Sequence, residues 1–172
     1  MNQATSSNSV SMRIFVAGAW GVLCALILAP PILASHNFDG AAAGIYFCFS
    51  CICHQAPERV FRILDFPLAV CHRCSGIYLG FFLGALFKNN GLHRSPGARR
   101  NWILAAACPL VFDALAPYWG LWTNTSWTRF ASGLVFGILT SSLLVRGIAE
   151  FITEAPWRLF ASGASRLQGG LS

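Results

Sequence analysis

Charged side chains are scarce in this sequence. Asp, Glu, Lys and Arg make up only 10% of the 172 residues, whereas hydrophobic residues make up 55% and the mean hydropathy is +0.57. A soluble domain carries about 25% charged residues, so this chain lacks the charge needed to cover a water-exposed surface. The composition excludes a soluble globular enzyme, a disordered protein and a DNA-binding module. It indicates a small integral membrane protein in a lipid bilayer, with no nucleic-acid partner.

The sequence also lacks the Cys-x-x-Cys-His motif that covalent attachment of c-type haem requires. Cys74 is followed by serine, and Cys51 is followed by isoleucine. His54 does follow Cys53, but the residue at position 50 is serine rather than cysteine. The cysteines are therefore not haem-attachment residues.

Four apolar stretches are long enough to cross a membrane, since a spanning helix needs about 20 apolar residues. They are residues 14–34, 68–87, 102–122 and 130–149. The first stretch follows Arg13, as the core of a signal peptide would, but it is longer than such a core and lacks a good cleavage site. A fifth apolar stretch, residues 38–52, is too short to span and predicts an interfacial or re-entrant helix. We therefore expect an all-α membrane protein with four transmembrane helices plus one short helix before the second span.

Basic residues predict the orientation of these helices, because loops rich in Lys and Arg face the cytoplasm. The loop after the second span and the C-terminal part of the chain carry Lys88, Arg94, Arg99, Arg100, Arg146, Arg158 and Arg166. Both chain ends are then cytoplasmic, and residues 36–75 form an outer loop on the plasma or inner membrane. We expect disorder in the Ser-rich residues 1–12, a transmembrane domain over residues 13–153, and a cytoplasmic interfacial tail at residues 154–172.

The outer loop contains a cluster of cysteine and histidine residues. Its central motif is Cys71-His72-Arg73-Cys74, and the pair Cys53-His54 lies upstream. A Cys-x-x-Cys pair at the start of a helix lies next to free N–H groups, which stabilise the thiolate that binds metals and attacks disulfides. Five of the 7 cysteines fall in this loop: Cys48, Cys51, Cys53, Cys71 and Cys74.

Three kinds of chemistry fit this cluster. Cys53, His54, Cys71 and Cys74 could form a four-ligand zinc site, because tetrahedral zinc takes nitrogen and sulfur ligands. Cys71 and Cys74 could instead cycle between dithiol and disulfide, as in a quinone-linked thiol oxidoreductase. Static disulfides are the third interpretation, since the outer face of a membrane is oxidising. Spacing alone does not separate these alternatives.

Several polar residues lie within or beside the predicted spans, where charge is rare and often functional. Asp113 lies within the third span and is a candidate catalytic proton acceptor or the partner of an arginine. Glu58 is a second catalytic candidate, and on a shared helix face it would orient His54. A polar rim suited to an anionic headgroup, a phosphate or a semiquinone consists of Arg59, Arg73, Asn124 and Arg129.

Glycines repeat at four-residue spacing in two of the spans. These glycine stripes are Gly76, Gly80 and Gly84 in the second span, and Gly133 and Gly137 in the fourth. Small residues at this spacing let helices approach closely. The stripes predict tight packing within the chain or self-association. They would also suit docking into a larger membrane complex, of which this protein would be a non-catalytic subunit.

Two motifs resemble those of a known family. They read Cys53-His54-Gln55-x-Pro57-Glu58-Arg59 and Cys71-x-Arg73-Cys74-x-Gly76-Ile77-Tyr78-x-Gly80, and the similarity continues through Asp113, Asn124, Arg129 and Gly133. The sequence thereby resembles the domain of unknown function 2085, small multi-pass membrane proteins of bacteria and archaea. Val60-Phe61 replaces the usual Ser-Phe, and His72 stands where a small residue is common. The resemblance implies the membrane fold and the Cys–His frame but no reaction, so whether the protein is an enzyme stays open.

Overall fold

A computed structural model describes residues 3–87, 96–120 and 123–154. The helices within these ranges are α1 (Gln3–Ser35), α2 (Asp39–Ser50), α3 (His72–Leu86), α4 (Pro96–Leu115) and α5 (Ser126–Glu154). An antiparallel hairpin of β1 (Val60–Ile63) and β2 (Phe66–Cys71) lies between α2 and α3. Short 3-10 turns occupy Pro57–Arg59 and Ala116–Trp119. The fold is mostly helical, with one small sheet that the sequence did not predict.

Within the described residues, three helical stretches are long and apolar enough to cross a membrane. They are Ser11–Ser35, Arg100–Trp119 and Ser126–Val145, and they overlap the first, third and fourth predicted spans. Their surfaces expose large apolar side chains such as Phe15 and Phe112. Exposed apolar surface of this kind is typical of membrane contact.

The second predicted span begins later than its hydropathy indicates. Residues 68–71 belong to strand β2, and helix α3 starts at His72. This helix has 15 residues, which gives about 22 Å at 1.5 Å per residue against a hydrocarbon core of about 30 Å. The prediction was wrong here because Leu68, Ala69 and Val70 are apolar for a different reason. They are buried inside the protein in a strand rather than exposed to lipid on a helix.

The N-terminal segment also differs from expectation. Helix α1 begins at Gln3, so residues 3–12, which we expected to be disordered, are helical. Helix α2 has 12 residues, in agreement with a short helix within residues 38–52, and its interfacial or re-entrant placement stays a prediction. Residues 88–95 of the basic loop and residues 155–172 of the expected tail lie outside the described residues.

Helices α3 and α5 make the most extensive contact between described helices. Every glycine of the two stripes faces the backbone of the opposite helix. A Cβ atom on Gly80 would lie 2.5 Å from the Leu134 carbonyl oxygen and 2.9 Å from the Gly137 Cα atom. Both stripes therefore pack against each other within the chain, which is one of the two alternatives that their spacing predicted.

Replacing Gly80 with alanine should destabilise the protein by about 1–3 kcal/mol, because the added methyl group collides with the α5 backbone. Gly18 in α1 provides the matched control, since a Cβ atom there meets nothing within 4 Å and alanine favours a helix. Thermal unfolding in detergent should show a lower midpoint for Gly80→Ala and an unchanged or higher midpoint for Gly18→Ala. Equal midpoints would contradict the α3–α5 packing.

Candidate metal centre and adjacent cavity

The β-hairpin brings two distant cysteines together. Strand β2 leads directly into α3 and packs in a core that also contains Phe49 and Cys53. The hairpin turns at Leu64 and Asp65, whose φ angles of 51° and 64° are both positive, as the twist of a two-residue hairpin loop requires. The returning strand therefore ends with Cys71 beside Cys53.

Gln55 holds the segment after α2 against strand β2. Its side-chain amide donates to the carbonyl oxygens of Tyr46 and Ala69, at 2.9 and 2.8 Å. Its φ angle of 45° is left-handed, a conformation that costs about 1–3 kcal/mol in a residue other than glycine. No role for Gln55 followed from its sequence position, although the residue lies inside the Cys53 motif. In the structure it anchors the loop that carries Cys53.

Cys53, Cys71 and Cys74 form a cysteine triad. Their Sγ atoms all lie within 4.8 Å of one another. Cys53 is buried, and the other two cysteines are half-buried. The Cys71 backbone N–H donates to Cys53 Sγ at 3.2 Å, and such a bond stabilises a thiolate. The triad could therefore hold a metal ion.

Interactions within the triad alter the acidity of Cys71, which ends strand β2. Hydrogen bonds from the side chains of Cys53 and Cys74 lower the pKa of the Cys71 thiol, against the opposing effect of burial. Hydrogen bonding within the triad therefore favours the thiolate, the form that binds metals.

His54 does not join the triad, contrary to the four-ligand arrangement that the sequence suggested. Its side chain is exposed, whereas the side chain of Cys53 is buried. Adjacent residues of a non-helical segment project to different sides, so the burial of Cys53 directs His54 away from the sulfur atoms. His54 lies instead on the lining of a neighbouring cavity.

The remaining outer candidates also lie away from the triad. Glu58 falls in the 3-10 turn Pro57–Arg59 rather than on a helix shared with His54. Its carboxylate lies 3.5 Å from the Arg59 Nε atom, in an exposed pair. Cys48 and Cys51 are exposed on and just after α2. The geometry gives Glu58 no contact with the triad, and its catalytic role stays a prediction.

A cavity of about 710 Å³ opens beside the triad, and Cys71 belongs to both. The cavity lies between the start of α3, the 3-10 turn after α4 and the start of α5. Its main polar lining residues are His54, Arg59, His72, Arg73, Asn124 and Arg129. All four residues of the predicted anion-binding rim therefore lie in one lining. His72, which sequence analysis left without a role, lies among them.

Asp113 is buried next to this cavity and pairs with an arginine of its lining. Asp113 Oδ2 lies 2.6 Å from Arg73 Nη2 and 3.4 Å from the Ser132 hydroxyl oxygen. The Asn124 side-chain amide donates to the Asp113 backbone carbonyl. This network joins α3, α4 and α5. Two roles were considered for Asp113, a proton acceptor and the partner of an arginine. The geometry supports the second, with Arg73 as the partner.

Comparison with known proteins places the chain among membrane proteins of unassigned function. It belongs to the family described as predicted membrane protein, domain of unknown function 2085, whose sequence model matches residues 53–143. The resemblance noted from the motifs is thereby confirmed. The matched segment contains the whole triad and the polar lining of the cavity.

Two archaeal relatives are themselves uncharacterised. A protein of Methanocaldococcus jannaschii is 32% identical over 97 residues, which cover 54% of this chain and 61% of that protein. A protein of Methanothermobacter thermautotrophicus is 33% identical over 90 residues, which cover 52% of this chain and 81% of that protein. No solved structure matches the chain significantly.

Breaking the Arg73–Asp113 pair should destabilise the protein by about 3 kcal/mol, because a buried charge would lose its partner. We expect Arg73→Gln and Asp113→Asn each to lower the unfolding midpoint in detergent. The double variant should lose less stability than the sum of the two, since the pair is coupled. Glu58→Gln is the control, because its exposed pair with Arg59 contributes less than about 1 kcal/mol. Strictly additive losses at Arg73 and Asp113 would argue against this pair.

Proposed function

We propose that this protein is a membrane metalloprotein that binds a zinc ion through Cys53, Cys71 and Cys74. The observation that carries the proposal is the approach of three thiol sulfurs to within 4.8 Å of one another. Sulfur ligands at about 2.3 Å from a tetrahedral zinc lie about 3.8 Å apart. Small side-chain adjustments would therefore bring the three sulfur atoms to the distances that zinc requires. Thiolate ligands favour zinc over magnesium or calcium.

The fourth zinc position distinguishes a structural from a catalytic site. Three protein ligands leave one position of a tetrahedral shell for another group. His54 follows Cys53 and lines the same cavity as Cys71, so a local change of backbone would restore the four-ligand set suggested by the sequence. With His54 in its present place, the fourth ligand would come from the cavity that Cys71 lines, and a bound zinc would supply Lewis-acid chemistry there.

Thiol–disulfide exchange is the second candidate function. The hydrogen bonds that lower the pKa of Cys71 would also activate that thiol for attack on a disulfide. In a quinone-linked reaction, the Cys71 thiolate and the Cys74 thiol would be oxidised to a disulfide. The two electrons and the Cys74 proton would pass to a quinone, which would take its second proton from water to become a quinol. A disulfide offers no thiolate to zinc, so thiol counting separates the two functions. The third candidate is a non-catalytic subunit of a larger membrane complex. The glycine stripes do not support it, because they pack against each other within the chain.

We also propose that α3 is the fourth membrane helix. It packs on both α1 and α5, which contain two of the candidate spans, so α3 lies at the depth of the membrane despite its length. The hairpin and the triad then lie at the membrane surface, with α2 in the interface or re-entering it. With both chain ends in the cytoplasm, this surface is the outer face of the plasma or inner membrane.

Purified protein should contain about one zinc ion per chain, as one tetrahedral site requires. Cys53→Ser, Cys71→Ser and Cys74→Ser should each greatly reduce the zinc content in elemental analysis. Cys51→Ser is the matched control, because Cys51 is exposed and outside the triad. Metal-free protein with a reducible Cys71–Cys74 bond would favour the redox function. Unchanged zinc in all triad variants would contradict the proposed zinc site.

The orientation can be tested by labelling Cys51, which is exposed, in a variant whose Cys48 and Cys108 are serine. A membrane-impermeant maleimide should label Cys51 in intact cells, because the segment after α2 lies outside. As a control in the same background with Cys51→Ser, Asn101→Cys at the exposed start of α4 should react only after permeabilisation. The opposite labelling pattern would invert the proposed topology.

A further inference from the structure

The cavity beside the triad is strongly basic. Arg59, Arg73 and Arg129 line it with His54 and His72, and its described lining contains no aspartate or glutamate. Arg73 pairs with Asp113, and Arg59 makes an exposed pair with Glu58. Within the described residues, no carboxylate pairs with Arg129. A concave surface lined by positive charge concentrates anions.

Buried polar atoms in the same lining lack hydrogen-bond partners. His72 is only 4% exposed, and its Nδ1 atom has no partner among the described residues. The ring of Phe61 packs against His72 with 4.3 Å between centroids, which leaves the imidazole held in one place. Arg73 Nε and Asn124 Oδ1 are also buried without partners. Unpaired buried polar atoms are costly, so three in one lining indicate a polar ligand.

We propose that this cavity binds the oxyanion of a phosphate ester. Guanidinium groups hold phosphate oxygens through charge-assisted and often paired hydrogen bonds, which suits Arg59 and Arg129. The oxyanion would also accept from Arg73 Nε, and the unpaired His72 Nδ1 is a further polar atom of the same lining. Asn124 Oδ1 is an acceptor, and a hydroxyl or water beside the anion satisfies it.

The size of the cavity argues for an ester rather than a bare phosphate ion. At about 710 Å³, it has the volume of sites for small organic ligands. Leu115 and Pro117 add apolar surface to the same lining. The ligand therefore carries an organic group as well as a charged head. This proposal does not depend on zinc, since Cys71 is the one triad member that lines the cavity.

The position of the cavity offers two sources for such an ester. Tyr118 lines it and is exposed, and Trp119 and Trp127 on adjoining elements are exposed as well. Tyr and Trp concentrate where a membrane meets water. A phospholipid headgroup could enter from the bilayer, and a soluble phosphate ester could enter from the aqueous side. Both present the same oxyanion.

The experiment uses the full-length protein with two probes. Inorganic phosphate is titrated by calorimetry into protein held in phosphatidylcholine nanodiscs. Phosphatidylglycerol is then mixed into the discs, and its retention after transfer to detergent is measured by native mass spectrometry. Arg59→Gln and Arg129→Gln should each weaken binding by about tenfold or more, as loss of a charge-assisted hydrogen bond predicts.

Arg62→Gln is the matched control. It removes the same charge three residues after Arg59, but Arg62 is outside the cavity lining and donates to the Asp65 carbonyl oxygen. Arg59 is exposed, so its variant keeps the test valid if Arg129→Gln fails to fold. Zinc content measured on the same samples reports separately on the triad.

Each outcome decides the proposal. If the protein binds inorganic phosphate and the Arg59 and Arg129 variants do not, the ligand is a soluble ester. If the protein retains phosphatidylglycerol and only these two variants lose it, the ligand is a lipid headgroup. Absence of binding by both probes would overturn the proposal. An equal loss of binding in Arg62→Gln would also overturn the proposal, because the effect would then come from the overall surface charge and not from the cavity.

Discussion

Contact between the backbones of α3 and α5 is the constraint on which the outer site depends. The glycine stripes remove every side chain that would hold these helices apart. Gly133 of α5 lies against the Arg73 carbonyl oxygen, so the first turn of α3 is held beside the second turn of α5. Cys74 lies in that turn of α3, and Arg129 lies one turn before Gly133 in α5. A longer side chain at this contact would separate the cysteine triad from one wall of the cavity.

Charge neutralisation then makes this outer end compatible with an apolar bundle. Asp113 is 6% exposed, and a lone carboxylate there would be costly in a membrane protein. Arg73 neutralises it, while the Ser132 hydroxyl lies close to the same carboxylate. Arg73 also lines the cavity, where its Nε atom has no partner, so one side chain contributes both to helix association and to the hydrogen-bond donors of the lining. Stability and the proposed ligand binding are therefore linked through this residue.

Properties that are local or periodic could be predicted from the sequence, whereas directions of side chains could not. The lengths of apolar runs indicated the membrane class, and the glycine spacing indicated the helix contact. Hydropathy failed at residues 68–71, because a buried strand and the start of a spanning helix have the same apolar pattern. Spacing also grouped His54 with Cys53, although a ligand's direction depends on backbone angles that the spacing does not specify. The left-handed φ of Gln55 is one such angle.

The triad and the cavity differ in when they can assemble. The triad lies within the short stretch from Cys53 to Cys74, and closing a short loop costs little entropy. The cavity needs Asn124 and Arg129, which a ribosome makes later, and chains emerge N-terminus first. The three sulfurs can therefore meet on the hairpin while α4 and α5 are still being synthesised. Early burial of Cys53 would keep it from mispairing with the exposed thiols of Cys48 and Cys51 during membrane insertion.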